Sequence, residues 1–309
     1  MLGNKFKIGD TIGIVAPSGP ENKENILQNI DIFTSLGFKI KLAKNIFNRK
    51  GYLAGTDEER VSDLMEMFKD KNVDIIMCLR GGYGSSRLLP LIDWSIIKNN
   101  PKIFIGYSDI TILLNEIYRR CNLITFHGPM FTSNLKEKHT LESLLTTLQQ
   151  GFKPYSINSY DIHVKSSVNY ITEGFLVGGN LSLICSTLGT PYEINTTEKI
   201  LFLEEIGEEP YKIDRMLTQL HEANKLEKCR GFILGHFTNC DTENPANSLS
   251  LNEVIKDKIL SLNKPTLFNF PSGHDYPNIT LPIGAKIRLN CIKCKIDVLE
   301  GVVGSGPLP

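Results

Sequence analysis

The stretch Ile103-Phe104-Ile105-Gly106-Tyr107-Ser108-Asp109-Ile110 puts a serine where an apolar run gives way to a helical pattern. A hydroxyl at such a strand-to-helix turn stands at the carboxyl edge of a sheet, and the N–H groups that follow it point where an oxyanion would develop. The helix N-terminus adds partial positive charge at the same place. The second glycine of a G-x-S-x-G elbow is missing, because Ile110 stands there. Taken alone, the segment therefore reads first as a helix capped by Ser108 or Asp109.

A serine nucleophile needs a base, normally histidine, and a carboxylate that holds the imidazole in one tautomer. Six histidines are available. His139 and His163 lie in polar surroundings, and His221 follows a helical pattern. His127 and His236 each close an apolar run, so a core role and a site role are both open to them. His274 falls in the Gly/Pro-rich loop 270–282, the kind of segment that reaches into a cleft. Spacing alone does not separate it from His127. For the carboxylate, Glu204 and Glu205 close the apolar run 200–203. They read either as a surface or helix-start pair, or with Glu204 turned toward a histidine. The chain order Ser108, Glu204, His274 is that of the α/β-hydrolases, though order alone decides nothing.

Arg80-Gly81-Gly82-Tyr83-Gly84 suits a phosphate cradle, one wall of an oxyanion hole, or a plain turn after a buried strand. No G-x-G-x-x-G or G-x-x-x-x-G-K-[ST] occurs, which weakens the nucleotide reading. Cys291 and Cys294 form a lone C-x-x-C, whose thiols would face opposite sides of a strand. With no H-E-x-x-H either, a mechanism without metal or cofactor is expected.

The elements that must hold these groups alternate. Strands are expected at 11–16, 38–42, 73–79 and 103–105, and helices at 25–36, 56–68 and 110–119. The box Thr56-Asp57-Glu58-Glu59 opens the second helix. Such alternation argues for an α/β fold with a parallel sheet, whose ligands sit outside the carboxyl ends of the strands. Both the serine turn and the glycine loop land there. The pattern breaks near 151–170, read as a linker between an N-terminal α/β domain (1–150) and a C-terminal domain (171–309) with a β-rich end. Within the latter, helices are expected at 181–188 and 213–223, and strands at 199–203 and 231–235.

A length of 309 residues suits about two domains at roughly 150 residues each. Lys+Arg and Asp+Glu number 34 each, so no net charge draws the chain toward nucleic acid or an anionic membrane. No window approaches ~18 consecutive apolar residues, and the first twenty carry no secretory-signal pattern. Seven cysteines, an odd number, point to reduced thiols in a cytosolic compartment.

Assembled, the segments resemble the LD-carboxypeptidase family of serine peptidases, which includes the microcin C self-immunity peptidases. The resemblance covers nearly the whole chain. It rests on Gly9-Asp10-Thr11 through Ser18, Arg80 to Gly84, Gly106-Tyr107-Ser108-Asp109 and Gly178-Gly179-Asn180-Leu181. It continues through Leu203-Glu204-Glu205-Ile206-Gly207-Glu208 with Tyr211 to Arg215, and Gly273-His274 followed by Pro277-Asn278, Leu281-Pro282 and Gly284.

The resemblance implies Ser108 as nucleophile, Glu204 as orienter and His274 as base, with the N–H groups of Asp109 and Gly82 forming the oxyanion hole. Where the family shows L-E-D, Glu205 replaces the Asp, leaving a one-position ambiguity in the acid. The implied fold is a parallel-sheet α/β domain followed by a smaller β-rich domain, and members commonly dimerise, so a homodimer is implied. The implied substrate is a muropeptide tetrapeptide, losing its terminal D-Ala in cytoplasmic murein recycling. Arg80 and Tyr83 are candidate substrate contacts; Arg80 or Arg87 would take the D-Ala carboxylate, unless both are solvated structural arginines. The microcin-immunity branch, which cleaves peptidyl or aminoacyl nucleotides, is the alternative. The lone tryptophan, Trp94, does not precede the Gly178-Gly179-Asn180-Leu181 segment as that branch's aromatic does.

Overall fold

In a computed structural model, which describes residues 1–159 and 164–305, the chain forms two compact units. His163 and part of the stretch read as a linker lie outside the described residues.

The first unit comprises residues 1–153 with the segments 280–284 and 301–309. Its six-stranded sheet is ordered Leu281–Ile283, Thr125–His127, Ile103–Gly106, Ile75–Cys78, Thr11–Val15, Lys39–Leu42. All neighbours pair in parallel except Leu281–Ile283, which runs antiparallel to Thr125–His127. The central strands Ile75–Cys78 and Ile103–Gly106 are buried along their whole length. Their apolar runs lack alternation because helices cover both faces of a parallel sheet. Helix Asp57–Lys69 starts with the expected capping box, Thr56 accepting from the Glu59 N–H while Glu59 accepts from the Thr56 N–H.

The second unit, residues 154–279 and 285–300, holds an eight-stranded mixed sheet. Four of its strands are parallel neighbours: Ile171–Asn180, Lys199–Ile206, Gly231–Thr238 and Thr266–Phe268. An antiparallel flank, Lys286–Asn290, Lys295–Val298 and Tyr155–Ile157, supplies the β-rich end. Helices Leu181–Ser186, Pro210–Glu222 and Leu251–Lys258 complete the unit, which is thus itself α/β.

Two differences from the sequence reading have plain causes. The stretch 151–170 includes two short strands of the second sheet, Tyr155–Ile157 and Lys165–Ser166, too brief to show a period. Cys291 and Cys294 lie in the turn of a hairpin whose last pair is Asn290 with Lys295, so the opposite-faces argument for a strand does not apply. Both thiols are free, and among the described residues no group of three or more metal-binding side chains gathers. No described helix is long and apolar enough to cross a membrane.

Local packing explains how the first sheet delivers Ser108. A Cβ on Gly106 would sit 2.7 Å from Ile110 Cγ2, so only glycine lets the chain fold back this tightly after the strand. Gly106→Ala should therefore lower stability by about 1–3 kcal/mol through forced repacking, read as a drop in Tm by circular dichroism.

Candidate active site

In the first unit, strand Ile103–Gly106 hands over through extended Tyr107 to Ser108, which opens a short 3-10 turn ahead of helix Thr111–Cys121. Ser108 has φ +64°, a left-handed conformation that a non-glycine residue adopts only where its surroundings impose it. The turn has the geometry of a nucleophile elbow despite Ile110, because the glycine that the tight turn needs is the one before the serine. The glycine loop lies against it: a methyl on Gly81 would sit 2.9 Å from Ser108 Oγ. Gly82 has φ +127°.

Asp109 is buried at 1% exposure. Its carboxylate accepts from Ser18 Oγ at 2.5 Å and from the Ser85 N–H at 2.8 Å, and its carbonyl accepts from Ser85 Oγ at 2.6 Å. The side chain is thus no helix cap. His127 is buried beside the turn, its ring edge-on to Tyr107 with centroids 5.8 Å apart. Arg87 is committed to Asp57 by bonds of 2.9 and 2.7 Å. Arg80 keeps a half-exposed side chain with one 3.3 Å contact to Glu21, and Tyr83 is half exposed against Tyr52.

In the second unit, strand Lys199–Ile206 runs on through both glutamates instead of ending before them. Successive side chains of a strand face opposite ways, so the two neighbours belong to different environments. Glu204 is fully buried, and its Oε2 lies 2.6 Å from His274 Nδ1. Glu205 accepts instead from Asn180 Nδ2 at 2.9 Å, and from the Ser182 N–H and Oγ at 2.8 and 2.7 Å. It therefore anchors the start of helix Leu181–Ser186. Burial pushes the Glu204 carboxyl up from its ordinary pKa, while the bond and charge of His274 act the other way.

The loop carrying His274 is held at several points. Asn278 Oδ1 accepts from the Gly273 N–H at 3.1 Å, Ser272 Oγ donates to the Ile279 carbonyl, and the His236 N–H donates to the Ser272 carbonyl at 2.9 Å. His236 Nε2 lies 3.1 Å from the Pro277 carbonyl oxygen. His236 is thus a strut for the loop. Gly273, at φ +129°, would place a Cβ 2.8 Å from Glu204 Oε2, so any side chain there would collide with the acid. Sequence reasoning missed Asn278, Ser272 and Gly273 as supports. The signal lay in the run of Gly, Pro and Asn around His274.

The first unit thus holds a strained serine beside a glycine loop, and the second a histidine bonded to a buried carboxylate. Those are the parts of acyl-transfer chemistry through a serine nucleophile.

Comparison with known proteins agrees with this reading. Residues 12–128 match the LD-carboxypeptidase N-terminal domain and 173–289 the LD-carboxypeptidase C-terminal domain. A probable murein peptide carboxypeptidase of Bacillus subtilis is 43% identical, over 97% of this chain and 94% of its own. Among solved structures, MccF in complex with glutamyl sulfamoyl guanosine superposes with a TM-score of 0.88 at 26% identity, covering 98% of this chain and 99% of that one. The muramoyltetrapeptide carboxypeptidase from Oxalobacter formigenes gives 0.84 at 30% identity, covering 96% and 100%.

The opposite facing of the two glutamates sets a sharp expectation. Glu204→Gln should lower kcat by roughly 10⁴-fold while leaving the fold intact, since an amide can turn its NH2 toward Nδ1 and hold His274 in the wrong tautomer. Glu205→Gln should instead cost about 1–3 kcal/mol of stability with most activity kept. Steady-state rates beside thermal melts for the two variants check this; equal losses of activity would contradict it.

Proposed function

Because the chain belongs to the LD-carboxypeptidase family, and is thereby a hydrolase of the carboxypeptidase type, we propose that it removes the terminal D-Ala from muropeptide tetrapeptides in cell-wall recycling. The observation that carries the mechanism is the 2.6 Å contact between buried Glu204 and His274 Nδ1, the arrangement by which a carboxylate orients a histidine base. Identity of 43% to the probable murein peptide carboxypeptidase of Bacillus subtilis supports the choice of substrate.

In the proposed reaction, His274 takes the proton from Ser108 Oγ as the hydroxyl attacks the carbonyl between the third residue and D-Ala. The oxyanion rests on the N–H groups of Asp109 and Gly82. As the tetrahedral intermediate collapses, His274 returns the proton to the D-Ala amine, which leaves. Water, deprotonated by the same ring, then hydrolyses the acyl-enzyme and restores Ser108. Glu204 stabilises the imidazolium in both halves. Arg80, the less committed of the two candidate arginines, is the proposed contact for the D-Ala carboxylate, with Tyr83 beside it on the loop.

The proposed setting is the cytoplasm, where murein fragments are recycled, and the seven free thiols accord with a reducing compartment. A homodimer is proposed on the habit of the family. A second reading, hydrolysis of a peptidyl or aminoacyl nucleotide, is favoured by one observation, the TM-score of 0.88 to MccF bound to an acyl sulfamoyl nucleoside.

Wild-type protein incubated with L-Ala-γ-D-Glu-diaminopimelate-D-Ala should lose one D-Ala by mass spectrometry. Ser108→Ala, equally folded, should fall by on the order of 10⁶ in kcat. Cleavage by both proteins would contradict the assignment of the nucleophile. An intact tetrapeptide beside a cleaved aminoacyl sulfamoyl nucleoside would transfer the reading to the second substrate class.

A further inference from the structure

Asp109 presents a problem that its backbone role does not solve. A carboxylate at 1% exposure sits immediately after the serine, where negative charge opposes a developing oxyanion. Burying a carboxylate is costly, and it persists only where its hydrogen bonds do something that a neutral residue would not. Here the bonds join three loops. Ser18 follows strand Thr11–Val15, Ser85 follows strand Ile75–Cys78, and Asp109 follows strand Ile103–Gly106. These three strands are adjacent in the sheet and parallel, so their carboxyl ends open at one edge.

One oxygen, Asp109 Oδ2, accepts from both Ser18 Oγ at 2.5 Å and the Ser85 N–H at 2.8 Å. Ser85 Oγ returns a bond of 2.6 Å to the Asp109 carbonyl. Ser85 therefore donates two hydrogen bonds to the residue that follows Ser108, and it closes the loop that holds Gly81 and Gly82. Other contacts tie the same loops together: the Gly19 N–H donates to the Gly81 carbonyl at 3.3 Å, and buried Arg60 Nη1 donates to the carbonyls of Pro17 and, at 3.0 Å, Gly84. Of these ties, only the Asp109 cluster includes the serine turn itself.

We propose that the Asp109 side chain is a positioning residue for the reaction, clamping the glycine loop and the Pro17–Gly19 turn onto the serine turn so that the N–H donors of Gly82 and Asp109 stay aimed at one oxyanion position. The inference rests on the reading of those two N–H groups as the oxyanion hole. Charge is what sets Asp apart from Asn here: an amide oxygen could also accept both bonds, but bonds to a carboxylate are shorter and about twice as strong, and the amide would put an NH2 group where the second carboxylate oxygen stands. Loosening the clamp would let the glycine loop shift relative to Ser108, and oxyanion stabilisation falls steeply with such a shift.

The test compares Asp109→Asn and Ser18→Ala with wild type by three readouts. The first is steady-state D-Ala release. The second is the rate at which a fluorophosphonate labels Ser108, which needs the same hole for its phosphoryl oxygen but no peptide specificity. The third is tetrapeptide affinity in a Ser108→Ala background. Asp109→Asn should lower kcat and the labelling rate together, by about 10–100-fold, with KM and tetrapeptide affinity within about threefold of the parent values. Ser18→Ala should show the same split, less deeply, and it carries the test should Asp109→Asn fail to fold. Unchanged kcat and labelling in a folded variant would overturn the proposal. So would affinity that falls in step with kcat and Tm, the pattern of a merely structural residue. Rapid labelling of a wild type that leaves the tetrapeptide intact would defeat the substrate reading, and the labelling rates would still decide the role of Asp109.

Discussion

The contact between Glu204 and His274 is the constraint around which the second unit is arranged. A fully buried carboxylate is tolerated there because its Oε2 lies 2.6 Å from the imidazole. Several local choices exist to make that approach possible. Gly273 has no side chain to strike the acid, Asn278 and Ser272 fasten the loop from within, and His236 braces it from the neighbouring strand. A histidine on an unbraced loop would sample many orientations, and the ordering entropy would be lost at each turnover instead of once on folding. The sheet supplies the rigid end of the pair and the loop is fitted to it.

The first unit solves the matching problem for Ser108, the proposed nucleophile. Its parallel strands end together, and the loops that follow three of them converge on Asp109. Ser108 is held at φ +64° by the strand before it and the helix after it, a strained conformation the surrounding bonds sustain. The strain is local, and the buried hydrogen bonds of Asp109 with Ser18 and Ser85, in the loops beyond the strand ends, support it. The two units therefore use the same device, a buried carboxylate on or beside a rigid strand end; in the proposed reaction one orients the base and the other fixes backbone donors.

Much of this was legible in the sequence, and the limits have physical reasons. The strand-to-helix turn at Ser108, the glycine loop, the capping box at Thr56 and the first sheet's parallel character all follow from apolar runs and turn residues. Glu204 and Glu205 could not be separated by spacing, because the strand was expected to stop before them. Once it is seen to run to Ile206, the two-residue period of a strand assigns them to opposite faces. His127 and His236 each close an apolar run and look alike in sequence. Only tertiary contacts show one packed against Tyr107 and the other bracing the His274 loop. The sequence offers Asp109 only as an N–H donor or a helix cap, since nothing local announces that Ser18 and Ser85, distant in sequence, will share its carboxylate. The short strands at 155–157 and 165–166 escaped for lack of length, and the hairpin at 291–294 because a turn between two brief strands resembles a continuous one.

The central claim is that His274, oriented by Glu204, serves Ser108. It is tested most directly with a chloromethyl ketone built on L-Ala-γ-D-Glu-diaminopimelate, which forms a hemiketal with an attacking serine and then alkylates the base beside it. Peptide mapping of the inactivated wild type should find the adduct on His274, with alkylation slowed by orders of magnitude in Ser108→Ala. An adduct on another histidine, or undiminished alkylation of His274 when Ser108 is absent, would contradict it.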